Sequence, residues 1–317
     1  MSRPRYASLD VGSNTVRLLL AERIEGGKIQ PLRVERRVTR LGGNFSKEGE
    51  LDEAAMERTL GTLAVFADLL KKERVRGTFA VATGVLREAK NGKVFIQRVF
   101  EHTGLSLRLV SGEEEGCLML KGVLGSLTEK TLTRMVADVG GWSTEILWVE
   151  GDEPKGIRSV PLGVVALAEK FLRNDPPQPE ELEYLETSAR RVLREIREWF
   201  EREGLPFRDL HPHLLGTAGT MTTLAAIDQG LQVYDPQKIS GYRIRRPDLE
   251  KIYLYLRSLP LRERRNVPGL EKGREDLIVA GAAVVLNLLE AFDLETLVVV
   301  DSGLLEGVLL DGISGIP

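Results

Sequence analysis

The sequence predicts an α/β protein built from two similar domains. Three observations carry that expectation: a motif that occurs twice, a strand–helix order that restarts midway, and an ordinary soluble composition over 317 residues. The first copy of the motif is Asp10-Val11-Gly12-Ser13-Asn14-Thr15-Val16-Arg17, and the second is Asp138-Val139-Gly140-Gly141-Trp142-Ser143-Thr144-Glu145. The shared frame is Asp-Val-Gly, two variable residues, a hydroxyl residue and an apolar run. An apolar stretch leads into each copy (Tyr6 to Leu9; Met135 to Ala137), so each reads as strand, tight turn, strand. A turn of Gly and Ser/Thr presents N–H groups and hydroxyls in a concave arrangement that suits phosphate oxygens. The Asp that closes the first strand adds a carboxylate, the usual partner of Mg²⁺ held between protein and phosphate. Two such loops imply two domains facing each other across a phosphate-binding cleft.

The elements follow in order. Residues 16–22 and 29–37 read as a hairpin with Gly26-Gly27 between the strands. A helix starts near Asp52, a good N-cap, and Met56, Leu60, Leu63, Phe66 and Leu70 recur at helical spacing on its buried face. Residues 78–82 read as a strand, 94–102 as a helix, 105–110 as a strand and 117–124 as a helix. From Leu132 the pattern restarts with strand, loop and further strands to about Val160. A long helix is expected over 179–203, with Leu182, Leu185, Ala189, Val192, Ile196 and Trp199 as its inner stripe. The strand 214–215 precedes Gly216-Thr217-Ala218-Gly219-Thr220, a third Gly/Thr turn, and 297–300 is a buried strand closing on Asp301-Ser302-Gly303. The domain break falls in 125–131, which gives an N-terminal domain over 1–126 and a C-terminal domain over 127–317.

Composition narrows the function. A net charge of −3 argues against a general DNA or membrane-surface binder, while 44 Lys and Arg residues suffice to line one anionic-ligand cleft. The single cysteine, Cys117, excludes an internal disulfide and reads as a small packing residue. His102, His211 and His213 have no zinc spacing with it. The most apolar stretch, 277–292, contains Asn287 and Glu290 and is too short to span a bilayer, so it reads as a buried helix. The start of the chain has no apolar signal-type segment, and a cytoplasmic protein is expected.

Beyond the two loops, Arg87 in Ala82-Thr83-Gly84-Val85-Leu86-Arg87 sits at a strand end, where open α/β folds place ligand residues. Its guanidinium suits phosphate oxygens, although pairing with Glu88 or Glu115 is the plainer reading. Glu113, Glu114 and Glu115 stand at a helix start, where acids complement the helix dipole. One of them facing a phosphate can orient or deprotonate water, and spacing alone does not choose among the three. Gly219 and Thr220 are weaker phosphate candidates.

Together these segments resemble the Ppx/GppA family of exopolyphosphatases and guanosine pentaphosphate phosphohydrolases, in the actin/Hsp70/sugar-kinase superfamily. The matching pieces are Asp10 to Thr15, Ala82 to Asn91, Ser111 to Glu115, Asp138 to Glu145, Gly216 to Thr220 and Asp301 to Gly307, in family order over nearly the whole chain. The chain is similar to the short form, without the additional C-terminal domain of longer members. The resemblance implies two actin-like (ribonuclease-H-like) domains, Mg²⁺, and hydrolysis of a terminal phosphoanhydride. It assigns Glu115 as catalytic base, and Asp10, Asp138 and Glu145 as acids at the metal. Gly12, Ser13, Asn14, Thr15, Arg87, Gly140, Gly141, Ser143, Thr144, Gly219 and Thr220 are the expected phosphate contacts. Two positions depart from the family pattern: Trp142 replaces the third glycine of Gly-Gly-Gly-Ser-Thr-Glu, and Leu305 replaces an arginine. The indole of Trp142 is expected against the domain interface, and the loss of charge at 305 is expected to weaken polyanion binding. The favoured substrate is inorganic polyphosphate; guanosine pentaphosphate is the alternative, and a non-catalytic sensor of either is the second. A homodimer stays open.

Overall fold

Ala7, Leu9 and Val11 make one face of β1 (Arg5–Val11) apolar, Tyr6, Ser8 and Asp10 lie on the other, and the strand is buried along almost its whole length. The structure, a computed structural model, describes residues 3–45, 49–127, 133–205 and 213–315. β1 pairs antiparallel with β2 (Thr15–Arg23), and β2 with β3 (Ile29–Val38). On its other side β1 pairs parallel with β4 (Gly77–Ala82), and β4 with β5 (Leu107–Leu109), giving the order β3-β2-β1-β4-β5. Between β3 and β4 runs α1 (Glu53–Glu73), capped by Asp52, whose Oδ1 accepts the Ala55 N–H at 2.9 Å. All five of its expected core residues are buried. After β4 come α2 (Val85–Glu88) and α3 (Gly92–Thr103), and after β5 comes α4 (Gly112–Ser126). α4 starts five residues before the expected 117 because the three glutamates form its first turn.

The second sheet repeats the first. β6 (Arg134–Val139) is buried throughout and pairs antiparallel with β7 (Thr144–Glu150), and β7 with β8 (Glu153–Val160). After α5 (Val164–Phe171) and α6 (Pro179–Arg202), β9 (His213–Thr217) joins β6 in parallel. Then follow α7 (Ala218–Asp228), α8 (Pro236–Ile239), β10 (Arg243–Arg245), α9 (Arg246–Ser258), α10 (Leu261–Arg264) and α11 (Ile278–Ala291). Finally β11 (Thr296–Val299) pairs parallel with β9, and β10 lies antiparallel at its edge. The run β8-β7-β6-β9-β11 thus matches β3-β2-β1-β4-β5 strand for strand and sense for sense. Each sheet joins an antiparallel hairpin to a parallel trio, the ribonuclease-H-like arrangement that the resemblance implies. α6 buries Leu193 and Phe200 rather than the expected Val192 and Trp199, which pack only partly against the core. A 3.6-residue period leaves such one-residue choices open at the edge of a stripe.

The chain forms two compact units, one of residues up to Ser126 together with those from Gly303 onward, the other of residues 127–302. The terminal segment therefore does not belong to the second domain drawn as 127–317. α12 (Leu304–Ser314) places Leu305, Leu309 and Ile313 against Tyr6, Leu19 and Ala21 of the first unit. Periodicity marks such a helix as amphipathic without saying which sheet it covers. Two glycines allow it to touch α4 backbone to backbone. A Cβ on Gly307 would lie 1.7 Å from the Leu118 carbonyl oxygen, and one on Gly122 would lie 1.8 Å from that of Gly303. Ser8 Oγ donates to the Leu305 carbonyl at 2.6 Å and ties the helix to β1. Among the described residues no helix is long and apolar enough to cross a membrane.

Because backbone cannot yield as a side chain tip can, Gly307→Ala should destabilise the first unit by about 3 kcal/mol. Urea unfolding followed by a probe of that unit measures it, and an unchanged midpoint would contradict the close α4–α12 contact.

Candidate functional site

Each copy of the motif closes with the same backbone hydrogen bond. Gly12 N–H donates to the Thr15 carbonyl at 3.0 Å, and Gly140 N–H donates to the Ser143 carbonyl at 3.0 Å. A Cβ on either glycine would crowd that carbonyl oxygen, at 3.3 Å for Gly12 and 3.0 Å for Gly140. The carbonyls of each turn are also committed. Asn14 O accepts from Thr39 N and Arg40 N (3.0 and 2.9 Å), and Ser13 O accepts from Gly42 N (2.7 Å). In the second loop, Gly140 O accepts from Val164 N (3.0 Å) and Gly141 O from Val165 N (2.8 Å), at the start of α5. With carbonyls held on one side, the N–H groups of Ser13, Asn14 and Gly141 point elsewhere, and among the described residues they reach no acceptor. That is the arrangement of an anion cradle.

Asn14 adds to it. Its side chain is 6% exposed, yet neither Oδ1 nor Nδ2 has a hydrogen-bond partner, and Thr39 Oγ1 beside it is in the same state. Unmet buried groups of this kind cost roughly 1–3 kcal/mol each, a cost that a ligand can remove. Ser13 Oγ accepts the Val85 N–H at 2.8 Å and keeps its own proton to donate. Thr15 is partly exposed at the mouth of the turn.

The residues following the two turns differ in charge. Asp10 stands opposite Arg17 in the β1–β2 register, and Arg17 Nε and Nη2 both donate to Asp10 Oδ2, at 3.0 and 2.7 Å. Asp138 stands opposite Glu145 in the β6–β7 register, so the equivalent place holds a second acid. Both acids are buried, Glu145 completely, and Glu145 Oε1 accepts from Ser143 Oγ (2.9 Å) and Ser159 Oγ (2.7 Å). Like charges directly opposite on neighbouring strands oppose folding unless offset. Among the described residues no three His, Cys, Asp or Glu side chains are grouped to hold a metal ion. The expected metal acids are thus a pair, Asp138 and Glu145, in one unit, and an ion-paired Asp10 in the other.

The three consecutive acids separate by burial. Glu113 is exposed, Glu114 pairs with Arg108, and Glu115 is buried and ion-paired with Arg87. Arg87 Nη1 also lies 3.5 Å from the Val110 carbonyl oxygen. The plainer reading of Arg87 therefore describes its contacts, and the same contact joins it to the candidate base. Cys117 is exposed, contrary to the packing role expected for it, because it falls on the outer face of α4. Partial burial and Glu113 push its thiol pKa up, which disfavours a nucleophile.

Several expected phosphate contacts are used internally. Thr144 Oγ1 donates to the Leu162 carbonyl at 2.8 Å, and Thr220 Oγ1 donates to that of Val139 at 2.9 Å. Gly219 is partly exposed in the first turn of α7, after Ala218 in the left-handed region at φ 71°. Trp142 is half-buried, and its backbone lies so close to Gly163 that a Cβ there would be 2.0 Å from the Trp142 carbonyl carbon. Leu305 is 3% exposed in the core of the first unit, so at this position an apolar side chain serves packing. Sequence reasoning passed over Arg17, Thr39 and Ser159. Alignment of the two copies was a signal for Arg17, which falls at the place of Glu145; nothing marked the other two.

Residues 20–314 match the description of the Ppx/GppA phosphatase family. The chain belongs to that family. One relative within it is exopolyphosphatase 2 of Mycobacterium tuberculosis, 32% identical over 322 residues, which cover 98% of this chain and 99% of that protein. A guanosine-5'-triphosphate,3'-diphosphate pyrophosphatase of Vibrio parahaemolyticus is 27% identical over 312 residues, 98% of this chain but 59% of its own length. The crystal structure of the Aquifex aeolicus member of the Ppx/GppA family superposes with a TM-score of 0.80 at 32% identity, covering 99% of this chain and 98% of that one. An exopolyphosphatase from Cytophaga hutchinsonii shares the fold with a TM-score of 0.89 at 24% identity, covering 99% of each chain.

The Trp142–Gly163 contact sets the position of the second loop, so Gly163→Ala should push that loop out of place. Phosphate release should fall about 10²-fold, the usual penalty for misplacing a reacting group by an ångström. A folded Gly163→Ala protein with normal turnover would show that the second loop plays no part in the reaction.

Proposed function

We propose that the chain is a Mg²⁺-dependent exopolyphosphatase, which hydrolyses the terminal phosphoanhydride of inorganic polyphosphate and releases orthophosphate. The observation that carries this reading is the pair of turns closed by the same hydrogen bond, whose N–H groups at Ser13, Asn14 and Gly141 reach no acceptor among the described residues. Phosphate oxygens supply such acceptors, and the buried carboxamide of Asn14 adds a donor. The end-to-end match to a relative named exopolyphosphatase supports the same reading.

Glu115 is the base because it alone of the three acids is buried and held by a guanidinium. When the terminal phosphate enters, Arg87 turns from Glu115 to the phosphate oxygens, which it binds in pairs. The carboxylate so released accepts a proton from water as the water oxygen bonds to the terminal phosphorus. The bond from that phosphorus to the bridging oxygen breaks, and the oxygen stays on the shortened chain. Positioning and charge stabilisation suffice for this reaction, and no covalent nucleophile is needed.

Asp138 and Glu145 suit Mg²⁺, which prefers hard oxygen ligands and commonly takes only one or two carboxylates, with water and phosphate completing its shell. Bound there, the ion would offset charge on the leaving oxygen. Asp10, with Arg17 on its Oδ2, is left to fix that guanidinium near the first loop. Removal of the 5′-phosphate of guanosine pentaphosphate is the second reading, favoured by the Vibrio relative, of which this chain spans 59%.

Glu115→Gln should lower turnover on polyphosphate roughly 10²–10⁴-fold with binding retained, while Glu114→Gln stays near normal. The reverse pattern would show that the wrong carboxylate is assigned. Separately, Asp138→Asn and Glu145→Gln should each raise the Mg²⁺ concentration giving half-maximal activity. An unchanged Mg²⁺ dependence in both would move the metal away from this pair.

A further inference from the structure

β3 lies at the outer edge of the first sheet, and among the described residues no strand covers its far side. Which of its backbone groups face outward follows from the register. Thr39 N–H donates to the Asn14 carbonyl at 3.0 Å, directly beyond the pair Thr15 and Val38. Hydrogen-bonded pairs alternate along an antiparallel ladder, so Arg33, Glu35 and Arg37 bond to β2 while Val34, Arg36 and Val38 turn their N–H and C=O groups away from it. The Arg36 carbonyl takes the chain's own Arg37 Nη1 at 3.0 Å, and the Val34 and Val38 N–H groups reach no acceptor among the described residues. Pro31, which has no N–H, and a register shift opposite Leu20 and Ala21 mark where the regular edge begins.

The side chains along this edge suit a particular partner. Val34 stands opposite Leu19, a core residue packed with α12, yet it is 59% exposed, and Leu32 and Val38 are exposed with it. Arg33, Glu35 and Arg37 share the other face, where Arg33 Nε donates to Glu35 Oε1 at 2.7 Å and Arg37 Nη1 lies 3.1 Å from Glu35 Oε2. Charges on an edge strand repel strands that bring the same sign opposite them. A strand with the opposite sign at each place is accepted, and β3 read backwards is such a strand.

We propose that β3 pairs antiparallel with β3 of a second copy about a two-fold axis at Val34, which joins the two first-unit sheets into one. In that register Val34 meets Val34, and Arg33 meets Glu35 in both directions. Leu32 lies opposite Arg36, whose alkyl stem can cover it. Neighbouring registers fail. An axis at Arg33, Glu35 or Arg36 sets that residue against its own charge, and an axis between residues pairs outward backbone groups with groups already bonded to β2. Two-fold pairing uses up the edge, so assembly stops at a dimer. The interface is independent of the phosphatase reading, since it lies outside the motif loops.

The test is sedimentation equilibrium of the full chain at concentrations up to about 0.1 mM, enough to populate a dimer of micromolar affinity. The native chain should dimerise, and Val34→Lys, Arg33→Glu and Glu35→Arg should each weaken the dimer about 10-fold or more. Arg33→Glu and Glu35→Arg chains, each weak alone, should form a heterodimer when mixed, because both cross-strand places then hold opposite charges. A purely local role for the Arg33–Glu35 pair would not produce that rescue. In a Cys117→Ser background, Val34→Cys should form a disulfide-linked dimer on mild oxidation and Val38→Cys should not. If Glu35→Arg does not fold, the two cysteine variants decide. A monomer throughout, a dimer unmoved by Val34→Lys, no heterodimer on mixing, or equal cross-linking at 34 and 38 would overturn the proposal.

Discussion

One backbone hydrogen bond, formed twice, holds the arrangement together: Gly12 N–H to Thr15 O, and Gly140 N–H to Ser143 O. It turns the chain back on itself directly after a buried central strand, which brings the acid ending that strand and the residue opposite it into register. It also fixes which backbone groups remain outside the turn. Carbonyls of the first turn are taken by residues 39–42 and those of the second by the start of α5, so each loop is braced from behind. Loops with their carbonyls committed cannot rearrange without losing several hydrogen bonds, and preorganised donors such as the N–H groups of Ser13, Asn14 and Gly141 stabilise developing negative charge most effectively.

On this common turn the two halves differ by one sign of charge. The place after the first turn holds Arg17, which neutralises Asp10; the place after the second holds Glu145, which doubles the charge of Asp138. Symmetric halves would both suit anions or both suit cations. With this exchange, the first unit offers guanidiniums at Arg17 and Arg87 and the candidate base Glu115, while the second offers paired carboxylates for a cation.

Much of this was legible in the amino-acid sequence because local physics specified it. The doubled motif announced duplicated strand–turn–strand units, Asp52 announced a helix start, and Met56, Leu60, Leu63, Phe66 and Leu70 announced its buried face. What escaped prediction depended on contacts distant in sequence. The return of α12 to the first unit rests on Leu305, Leu309 and Ile313 meeting Tyr6 and Leu19, a pairing no periodicity encodes. Spacing left Glu113, Glu114 and Glu115 equivalent and only the resemblance pointed to Glu115; burial and the Arg87 ion pair now set it apart from the other two. Thr144 and Thr220 read as ligand residues from their place in Gly/Thr turns, but their hydroxyls donate to carbonyls within the second unit, as buried hydroxyls need an acceptor.

The central claim is that the protein hydrolyses the end of a phosphate chain. The most direct test is phosphate release by the purified protein with Mg²⁺, measured in parallel on long-chain polyphosphate, tripolyphosphate and guanosine pentaphosphate. The account predicts release from long-chain polyphosphate at the highest kcat/KM, with activity lost when Mg²⁺ is chelated. Tight binding of polyphosphate without release of phosphate from any of the three would contradict it and make the protein a sensor rather than an enzyme.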